Sequence, residues 1–386
     1  MYDITSYGAA TSLADNSSAI NNAIFSASSA GGGTVLVPVG RWKVTAPINL
    51  LKGVNLLGDG DVIYNWASAS LSGGSIIEFD HTGVGIFQHE STTIANFGFD
   101  YPGQLSTLSI PLTYGATIQL AGTAGNIDQK IVGNWFHKSY LAMDLRGSVS
   151  GFSSSGLTVS DNTGCPIYIM AVDYVADWQS FRNNKFNAGK INPSATTSGL
   201  VAWVANNAIG IQLFGNDWVT LDGIEIWGYH TGVYIVPGYG YAGTGPYMFQ
   251  NCSFDACQTP IQLAGGVYHN IVKASDCTFT AYNYVTNQKG AVVAFSPSVD
   301  MSDGGLIFSN NYVFGPHNQV LWAGNSVQKP SNMIISGNIC HATGGDWAVW
   351  SDKGNNVQVM NNIFRGYAGL VNLNTTTNGV VTNNQS

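Results

Sequence analysis

A short pattern of apolar and polar positions recurs along the chain from residue 131 onward. An apolar residue is followed by any residue, then by Asn, Asp or Gly, then usually by Asn, then by any residue and an apolar or aromatic one. The copies begin at residues 131, 159, 181, 221, 249, 274, 308, 335, 359 and 381. The shortest separations between copies are 22 to 28 residues. One coil of three short strands and three turns needs about that many residues, so each copy predicts one rung of a parallel β-solenoid.

The positions of this pattern have different predicted environments, and we expect the first and the sixth to point into the core. The first-position residues include Ile131, Val159, Phe181, Leu221 and Phe249, and the sixth-position residues include Phe136, Phe186, Ile226, Phe254, Phe279 and Phe364. The fourth position is Asn in seven of the ten copies, namely Asn134, Asn162, Asn184, Asn311, Asn338, Asn362 and Asn384. Asn tolerates the left-handed backbone of a sharp turn, and stacked Asn side chains form amide ladders, so we expect both features at the fourth position.

Two cysteines occupy the Asn position in adjacent copies. Cys252 and Cys277 are therefore expected to be buried and stacked on each other. The five cysteines show no CxxC pair and no His at zinc-ligand spacing, which predicts buried thiols, no metal site and no cofactor. An antiparallel β-sandwich with Asn-rich turns is the alternative fold, but a sandwich would not keep one motif in register over ten copies.

Residues 15–44 follow a different pattern. A polar cap cluster at 15–17 precedes apolar residues at helical spacing, which are Ala19, Ile20, Ala23, Ile24 and Ala27. This spacing predicts a helix over 15–30, and a glycine run and the apolar strand TVLVPVG follow it. A solenoid needs a cover on its open end, so we expect the helix to cap rungs that occupy residues 31–386.

The opening segment carries a set of residues that recurs in one known family. The set comprises Tyr7, Gly8, Ala9, Ser18, Ala19, Ile20, Ala23, Ile24, Gly31 to Gly33, Val35, Pro38, Gly40 and Trp42. With the stretch GVNLLGDG at 53–60, it resembles the pectate-lyase-like right-handed parallel β-helix superfamily, although Ser12 to Asn16 replace the usual Gly-Asp-Gly and Asp-Asp. The resemblance implies a right-handed single-stranded parallel β-helix with an N-terminal capping helix, forming a single domain over residues 1–386. Members share this fold but not a site, so no catalytic residue carries over.

Charge and composition narrow the range of functions. Only 9% of the residues are charged and the formal net charge is -8, so no basic stripe is available to neutralise the phosphates of a nucleic acid. No stretch approaches ~20 uninterrupted apolar residues, which argues against a membrane-spanning helix. The 18 Tyr and 10 Trp residues supply flat rings on which sugar faces stack. The composition therefore favours a polysaccharide or oligosaccharide partner.

Carboxylates are rare in this chain, yet three of them converge in the predicted stacking. Asp222 and Glu225 flank one turn on the solvent side, and Asp255 lies one rung later, beside Trp227. Hydrolysis of a glycosidic bond needs one carboxylic acid at the leaving oxygen and one carboxylate as nucleophile or base. We therefore expect Glu225 to be the acid, with Asp222 or Asp255 as its partner.

Aromatic and basic residues surround this predicted carboxylate group. We expect substrate contacts from Trp227, Tyr229, His230, Tyr239, Tyr241, Arg182 and Lys185. The structural alternative is that Arg182 and Lys185 only form salt bridges to the carboxylates of the next rung and align the rungs. Exposed pairs of this kind contribute at most ~1 kcal/mol each.

Weaker candidates lie elsewhere in the chain. His137 and His341 occupy an outward position, but the predicted stacking gives neither a neighbouring carboxylate. Asp173 and Asp177 form a second acidic group in the loop between the copies at 159 and 181.

Three functions are consistent with these features. The first is an endo-acting glycoside hydrolase that cleaves a polysaccharide, and the second is a polysaccharide lyase that acts by β-elimination. The third is a glycan-binding or depolymerase module of the kind found in phage tailspikes, for which assembly into a homotrimer is left open. No signal peptide precedes Tyr2, and we expect the protein to act outside the cell or on a phage tail.

Overall fold

The computed structural model describes residues 1–121, 128–146, 156–173, 179–216, 218–237, 246–324 and 330–386. The chain divides into two compact units, one formed by residues 1–171 and 175–203 and the other by residues 172–174 and 204–386. Strand Tyr168–Asp173 and helix Gly199–Asn207 cross the boundary between the units along the chain. Neither helix in the described part of the chain is long and apolar enough to cross a membrane.

In the first unit, each coil of chain contributes strands to three walls, called A, B and C. Wall A consists of Tyr2–Asp3, Gly33–Val37, Val54–Gly58, Thr93–Ala95, Lys130–Val132, Thr158–Ser160 and Gln179–Arg182. Wall B consists of Gly40–Val44, Ser75–Phe79, Phe97–Asp100, Trp135–His137, Thr163–Cys165 and Lys185–Asn187. Wall C consists of Ile48–Leu50, Ile86–Gln88, Ala116–Leu120 and Leu141–Arg146, followed by the boundary strand Tyr168–Asp173. A hairpin of Ile63–Asn65 and Ser70–Ser72 and two 3-10 turns, Ile4–Tyr7 and Ala188–Ile191, complete the unit.

The second unit repeats the three walls. Its wall A consists of Val219–Asp222, Tyr247–Gln250, Ile271–Ser275, Gly305–Ser309, Ser331–Ser336, Asn355–Met360 and Val380–Thr382. Its wall B consists of Glu225–Trp227, Ser253–Asp255, Thr278–Phe279, Tyr312–Gly315 and the first residues of Ile339–Ser351 and Ile363–Asn372. Its wall C consists of Ile209–Phe214, Thr231–Val236, Thr259–Leu263, Ala291–Phe295, Gln319–Ala323 and the later residues of the same two long strands. Tyr282–Asn283 and Gln288–Lys289 form a hairpin, and Gly266–Val267 pairs in parallel with Val299–Asp300.

Neighbouring strands of a wall are parallel and come from successive coils, which confirms the predicted parallel β-helix. Among the described strands, antiparallel pairing is confined to the two hairpins, so the sandwich alternative is wrong. The predicted first- and sixth-position residues are at most 1% exposed, which confirms that they form the core. All five cysteines are buried free thiols. That both units form a single domain stays a prediction.

The N-terminal helix spans Ser17–Ser29, within one or two residues of the predicted bounds. Asp15 accepts a hydrogen bond from the Ser17 backbone amide at 2.9 Å and so satisfies one of the free donors of the first turn. The predicted apolar stripe of the helix is buried, with exposures of 0 to 8%. The Asn21 side chain binds the Pro47 carbonyl beside the first strand of wall C at 3.0 Å. The helix therefore covers the first coil, as predicted.

The corner between walls A and B follows one rule in all ten copies. The third position of the motif is left-handed, with φ between 52° and 67°, at Gly133, Asp161, Asn183, Gly223, Asn251, Asp276, Asn310, Gly337, Asn361 and Asn383. The prediction that the fourth-position Asn takes the left-handed backbone is therefore wrong by one residue. Gly, Asn and Asp tolerate that conformation best, which explains the restricted third position.

The fourth-position side chains form the predicted amide ladder inside the corner. In the second unit, Asn338 Oδ1 accepts from the Asn311 backbone amide at 2.9 Å and from Asn311 Nδ2 at 3.1 Å. Asn338 Nδ2 in turn donates to the Phe308 carbonyl and to Asn362 Oδ1, both at 2.9 Å. The same pattern joins three amides of the first unit, which are Asn134, Asn162 and Asn184.

Two thiols continue this ladder where Asn is missing. Cys252 and Cys277 are 2% and 1% exposed, and the residues on either side of them pair in register on adjacent strands, which confirms that they are stacked. The Cys252 thiol points at the Leu221 carbonyl at 3.3 Å, so it occupies the place where an amide would bind the preceding coil. Cys277 receives the next amide, because its backbone N–H donates to Asn311 Oδ1 at 2.9 Å.

We expect Asn338→Ala to lower the free energy of unfolding by about 2–4 kcal/mol, because it leaves several buried donors and acceptors without partners. Chemical denaturation followed by circular dichroism measures the change. The matched control is Asn361→Gly, at an exposed left-handed position of the next coil, where we expect a change within about 1 kcal/mol. Equal losses in the two variants would contradict a stabilising role of the ladder.

Candidate functional site

The predicted stacking of the carboxylate group is correct in register. Asp222 lies opposite Gln250, and Glu225 lies opposite Ser253. Trp227 lies opposite Asp255 on the neighbouring strand. Side chains alternate across a strand, and Ile226 between Glu225 and Trp227 is buried, so these two side chains project from the outer face of wall B.

The corner separates Asp222 from the other two carboxylates. Asp222 ends a strand of wall A, whereas Glu225 and Asp255 belong to wall B. The Asp222 carboxylate accepts a hydrogen bond from Asn251 Nδ2 at 3.0 Å. On wall B, a strand spacing of ~4.8 Å and a rise of ~3.3 Å per residue place the Cα atoms of Glu225 and Asp255 roughly 8 Å apart. These two carboxylates therefore share one surface that Asp222 does not.

The Thr280 hydroxyl orients Asp255. The Thr280 hydroxyl donates to Asp255 Oδ1 at 2.6 Å, and it accepts the Ala256 backbone amide at 2.7 Å. Because its lone pair receives the amide proton, the hydroxyl proton is directed at the carboxylate. Burial and then the charge of Asp255 raise the pKa of Tyr282. Asp255 is therefore held in one orientation on the wall.

An aromatic pair stands next to these carboxylates. The Trp227 and Tyr284 rings lie 4.6 Å apart between centroids, at 36°. Tyr284 belongs to the hairpin segment 282–289, which Asn283 anchors by donating to the Ala205 carbonyl at 2.9 Å and to Asn206 Oδ1 at 2.8 Å. We call Glu225, Trp227, Asp255, Thr280 and Tyr284 the wall-B site.

Two other predicted substrate contacts, Tyr229 and His230, differ in burial. Tyr229 is fully buried, so its predicted contact with sugar is wrong. The chain turns from wall B toward wall C at Gly228, and Tyr229 enters the interior there, as Cys257 does in the next coil. His230 is half-buried, burial lowers its pKa, and its Nδ1 lies 3.2 Å from the Thr231 hydroxyl.

The remaining predicted site residues stay predictions. Tyr239, Tyr241 and Asp177 lie outside the described residues, as does the side chain of Asp173. Arg182 and Lys185 are exposed residues of the first unit. Within the described ranges, no group of three or more His, Cys, Asp or Glu side chains is placed to hold a metal ion.

A second charged cluster, which the sequence analysis missed, lies on wall B of the first unit. Glu78, Asp100 and His137 are vertical neighbours on three successive strands. His137 Nδ1 lies 2.7 Å from Asp100 Oδ1, and Arg41 binds both Glu78 and Asp100. The expectation that His137 has no neighbouring carboxylate is therefore wrong. The sequence IANFGFD at 94–100 is a further copy of the motif, with left-handed Asn96 at the third position but Phe97 in place of the fourth-position Asn.

This cluster is covered by other parts of the first unit. Asp100 and His137 are 7% and 1% exposed, and Arg41 also binds the Leu71 carbonyl of the covering hairpin. Burial would raise the pKa of Asp100, but the hydrogen bond and charge of His137, together with Lys138 and Arg41, lower it to about 2. Burial outweighs the attraction of Asp100 and lowers the pKa of His137. The cluster is closed to a polymer and joins successive coils.

A cavity of about 470 Å³ opens on the same unit, lined by Asp59, Asp61, Asn96 and Trp135 among others. Trp135 is 7% exposed, and its ring stacks on Tyr64 at 4.8 Å and 7°. Because Trp135 is buried, whereas Trp227 is half-exposed, this cavity lacks the accessible aromatic platform that a sugar ring needs.

We expect Asp100→Asn to lower the free energy of unfolding at pH 7 by about 2 kcal/mol, the value of a pKa shift from 3.8 to about 2. A carboxylate with a lowered pKa stabilises the fold above its unfolded pKa, and this contribution is lost as pH falls through the folded value. The difference from wild type should therefore be constant above pH 5 and disappear near pH 2. Urea unfolding at several pH values measures it, with Asp276→Asn at an exposed position as the control, for which we expect a change within about 0.5 kcal/mol. A difference that persists at pH 2 would contradict the assignment.

Sequence families match both ends of the chain. A family described as rhamnogalacturonase A/epimerase, pectate lyase-like, matches residues 1–129. The right-handed β-helix region matches residues 209–386. None of the curated protein sequences compared with the chain is significantly similar to it.

Solved structures share the fold at low sequence identity. The surface protein and adhesin PfbA of Streptococcus pneumoniae is 13% identical with a TM-score of 0.55, and 99% of each chain is covered. A mutant tailspike protein of E. coli bacteriophage HK620, solved with a pentasaccharide, is 15% identical with a TM-score of 0.61, covering 99% of this chain and 65% of its own. The tailspike protein gp49 from Acinetobacter baumannii bacteriophage Fri1, a capsular polysaccharide depolymerase, is 12% identical with a TM-score of 0.55. The match covers 97% of this chain and 63% of the tailspike chain. With the walls, corners and capping helix described above, these matches show that the chain is a right-handed parallel β-helix protein whose first 129 residues are similar to a pectate-lyase-like family.

Proposed function

We propose that the chain is an endo-acting glycoside hydrolase that cleaves a polysaccharide at the wall-B site. The single observation that carries this proposal is the register of two strands of wall B. It places Glu225 and Trp227 on the outer face of one strand and Asp255 directly beside Trp227 on the next. Two carboxylates on one surface supply the acid and the nucleophile or base of glycosidic hydrolysis, and the aromatic ring beside them supplies a stacking surface for a sugar.

The two carboxylates have different surroundings, which suits two different roles. Glu225 is exposed at the start of its strand and acts as the acid that protonates the leaving glycosidic oxygen. Asp255, oriented by the Thr280 hydroxyl, acts on the anomeric carbon, either directly as nucleophile or by removing a proton from the attacking water. The C–O bond breaks, the aglycone leaves with the proton from Glu225, and water supplies the new hydroxyl group.

The aromatic pair supplies the sugar contact. Trp227 is half-buried beside Asp255, and the hairpin that carries Tyr284 limits its motion. A ring held in this way stacks on a sugar face with little loss of side-chain entropy. The family descriptions and the saccharide and capsular polysaccharide named for the two tailspikes support a polysaccharide as partner. They also support the proposal that the protein acts outside the cell or on a phage tail.

A polysaccharide lyase is the alternative reaction. β-Elimination needs an unprotonated base and a cation that neutralises the uronate. Asp255 accepts a hydrogen bond from the Thr280 hydroxyl, and Tyr282, whose pKa is raised, keeps its proton at neutral pH. The second carboxylate on the same wall would repel a uronate. These neighbours favour hydrolysis.

We expect Glu225→Gln and Asp255→Asn each to lower kcat/KM by about 10³-fold or more, because each removes one member of the acid and base pair. The control is Asp222→Asn, which changes a carboxylate across the corner on wall A and should stay within about threefold of wild type. Release of reducing ends from polysaccharides measures activity, and the ultraviolet absorbance of an unsaturated sugar reports elimination instead. Unsaturated products, or a larger loss in Asp222→Asn than in Asp255→Asn, would refute the assignment.

We expect Trp227→Ala to raise KM about tenfold, the cost of roughly 1.4 kcal/mol of lost stacking, with a much smaller effect on kcat. Initial rates over a range of polymer concentrations separate the two constants. The matched control is Trp218→Ala, at a tryptophan that is 52% exposed and precedes wall A of the same unit. An unchanged KM in Trp227→Ala would show that Trp227 does not contact the substrate.

A further inference from the structure

The outer face of wall B continues for several coils beyond the carboxylates of the second unit. One column of outward residues runs from Glu225 through Ser253, Thr278, Tyr312 and Ile339 to Ile363. The parallel column beside it contains Phe314, His341 and Arg365 on its last three coils. Both columns follow the axis of the coils, so a polymer bound at the wall-B site and lying along this axis would pass over them.

Two large aromatic rings lie exposed on this continuation. Tyr312 and Phe314 are 44% and 37% exposed, and their rings stack at 5.4 Å with an interplanar angle of 20°. They project from the same face of one strand, because Val313 between them is fully buried. A scattered exposed apolar residue needs no explanation, but a stacked pair on a rigid wall forms a platform. The platform is two coils, ~10 Å, from Asp255.

The charge of the wall changes along the same direction. The carboxylates Glu225 and Asp255 occupy its first two coils, whereas none of the outward residues in the two columns from Thr278 onward is acidic. The last strand of wall B presents Arg365, which is exposed and lies in register with His341. Lys289 reaches from the neighbouring hairpin and donates to the Gly344 carbonyl at 2.8 Å. Arg365 and Lys289 therefore bring two positive charges to the far end of the wall, in a protein whose net charge is -8.

We propose that Tyr312, Phe314 and Arg365 form a distal subsite that binds a sugar unit carrying an acidic group. This inference rests on the proposed function and specifies its substrate: an acidic polysaccharide whose cleaved bond joins uncharged sugar units. The carboxylate pair would repel an anionic sugar at the point of cleavage, whereas the guanidinium of Arg365 binds a carboxylate in two parallel hydrogen bonds. The aromatic platform lies between the two and stacks on the intervening sugar.

The test measures binding without relying on cleavage. Xanthan and gellan, which carry uronates but also contain bonds between uncharged sugar units, are each compared with their carboxyl-reduced forms by affinity electrophoresis of the full chain. We expect at least one acidic polymer to retard the protein about tenfold more strongly than its reduced form, and added salt to remove that difference. If no acidic polymer is preferred over its reduced form, the proposal is wrong.

Variants assign the preference to this surface. With the polymer that retards the wild type most, Arg365→Gln should weaken binding of the acidic form about tenfold and leave the reduced form within about twofold. Tyr312→Ala should weaken both forms, and Lys273→Gln on wall A should change neither. An acidic preference that survives Arg365→Gln would overturn the proposal. Unchanged retardation of Tyr312→Ala would also overturn it, and a changed sedimentation coefficient in that variant would show that Tyr312 instead joins copies of the chain.

The outcomes also separate this subsite from the hydrolase assignment. Loss of the acidic preference in Arg365→Gln without any cleavage by the wild type supports the subsite and refutes the hydrolase. Cleavage that depends on Glu225 but shows no acidic preference refutes the subsite and leaves the hydrolase in place.

Discussion

In-register stacking of parallel coils is the constraint on which the rest of this structure depends. A coil alone leaves the donors and acceptors on both edges of its short strands unpaired, and only the next coil satisfies them. The corner between walls A and B holds that register. A left-handed residue turns the chain there, and the following Asn binds the backbone and the amide of adjacent coils. A shift by one residue would move every core side chain to the outer face.

The same constraint creates columns of side chains on the outer face, and the cover over a column decides its chemistry. In the first unit, the Glu78, Asp100 and His137 column lies under a hairpin, so its charges neutralise one another and bind the coils together. In the second unit, the Glu225 strand and the Asp255 strand lie on an open surface beside an anchored aromatic hairpin. Similar residue types at equivalent wall positions therefore support a closed network in one unit and a candidate active site in the other.

The platform and the basic end of wall B follow from this arrangement as well. Residues 225 and 312 are far apart in the sequence, yet each coil adds only about 4.8 Å along the wall. In a solenoid, a change in residue type from one copy of the motif to the next therefore becomes a change in side-chain chemistry along one face of the wall. Carboxylates, aromatic rings and a guanidinium follow each other on one face, which matches an extended polymer better than a small molecule.

The sequence by itself determined the walls, the core, the ladder and the capping helix, because a motif repeated ten times constrains the register more strongly than any local propensity. It also determined that Trp227 and Asp255 are neighbours, since that follows from counting along two copies. Only the tertiary structure decided which corner residue is left-handed, because Asn occupies both the third and the fourth positions in several copies. It alone separated Asp222 from the wall-B carboxylates, buried Tyr229 and paired His137 with Asp100. Those outcomes depend on where the corners lie and on which insertions cover a wall. The spacing of a repeat specifies neither the position of a corner nor the path of an insertion.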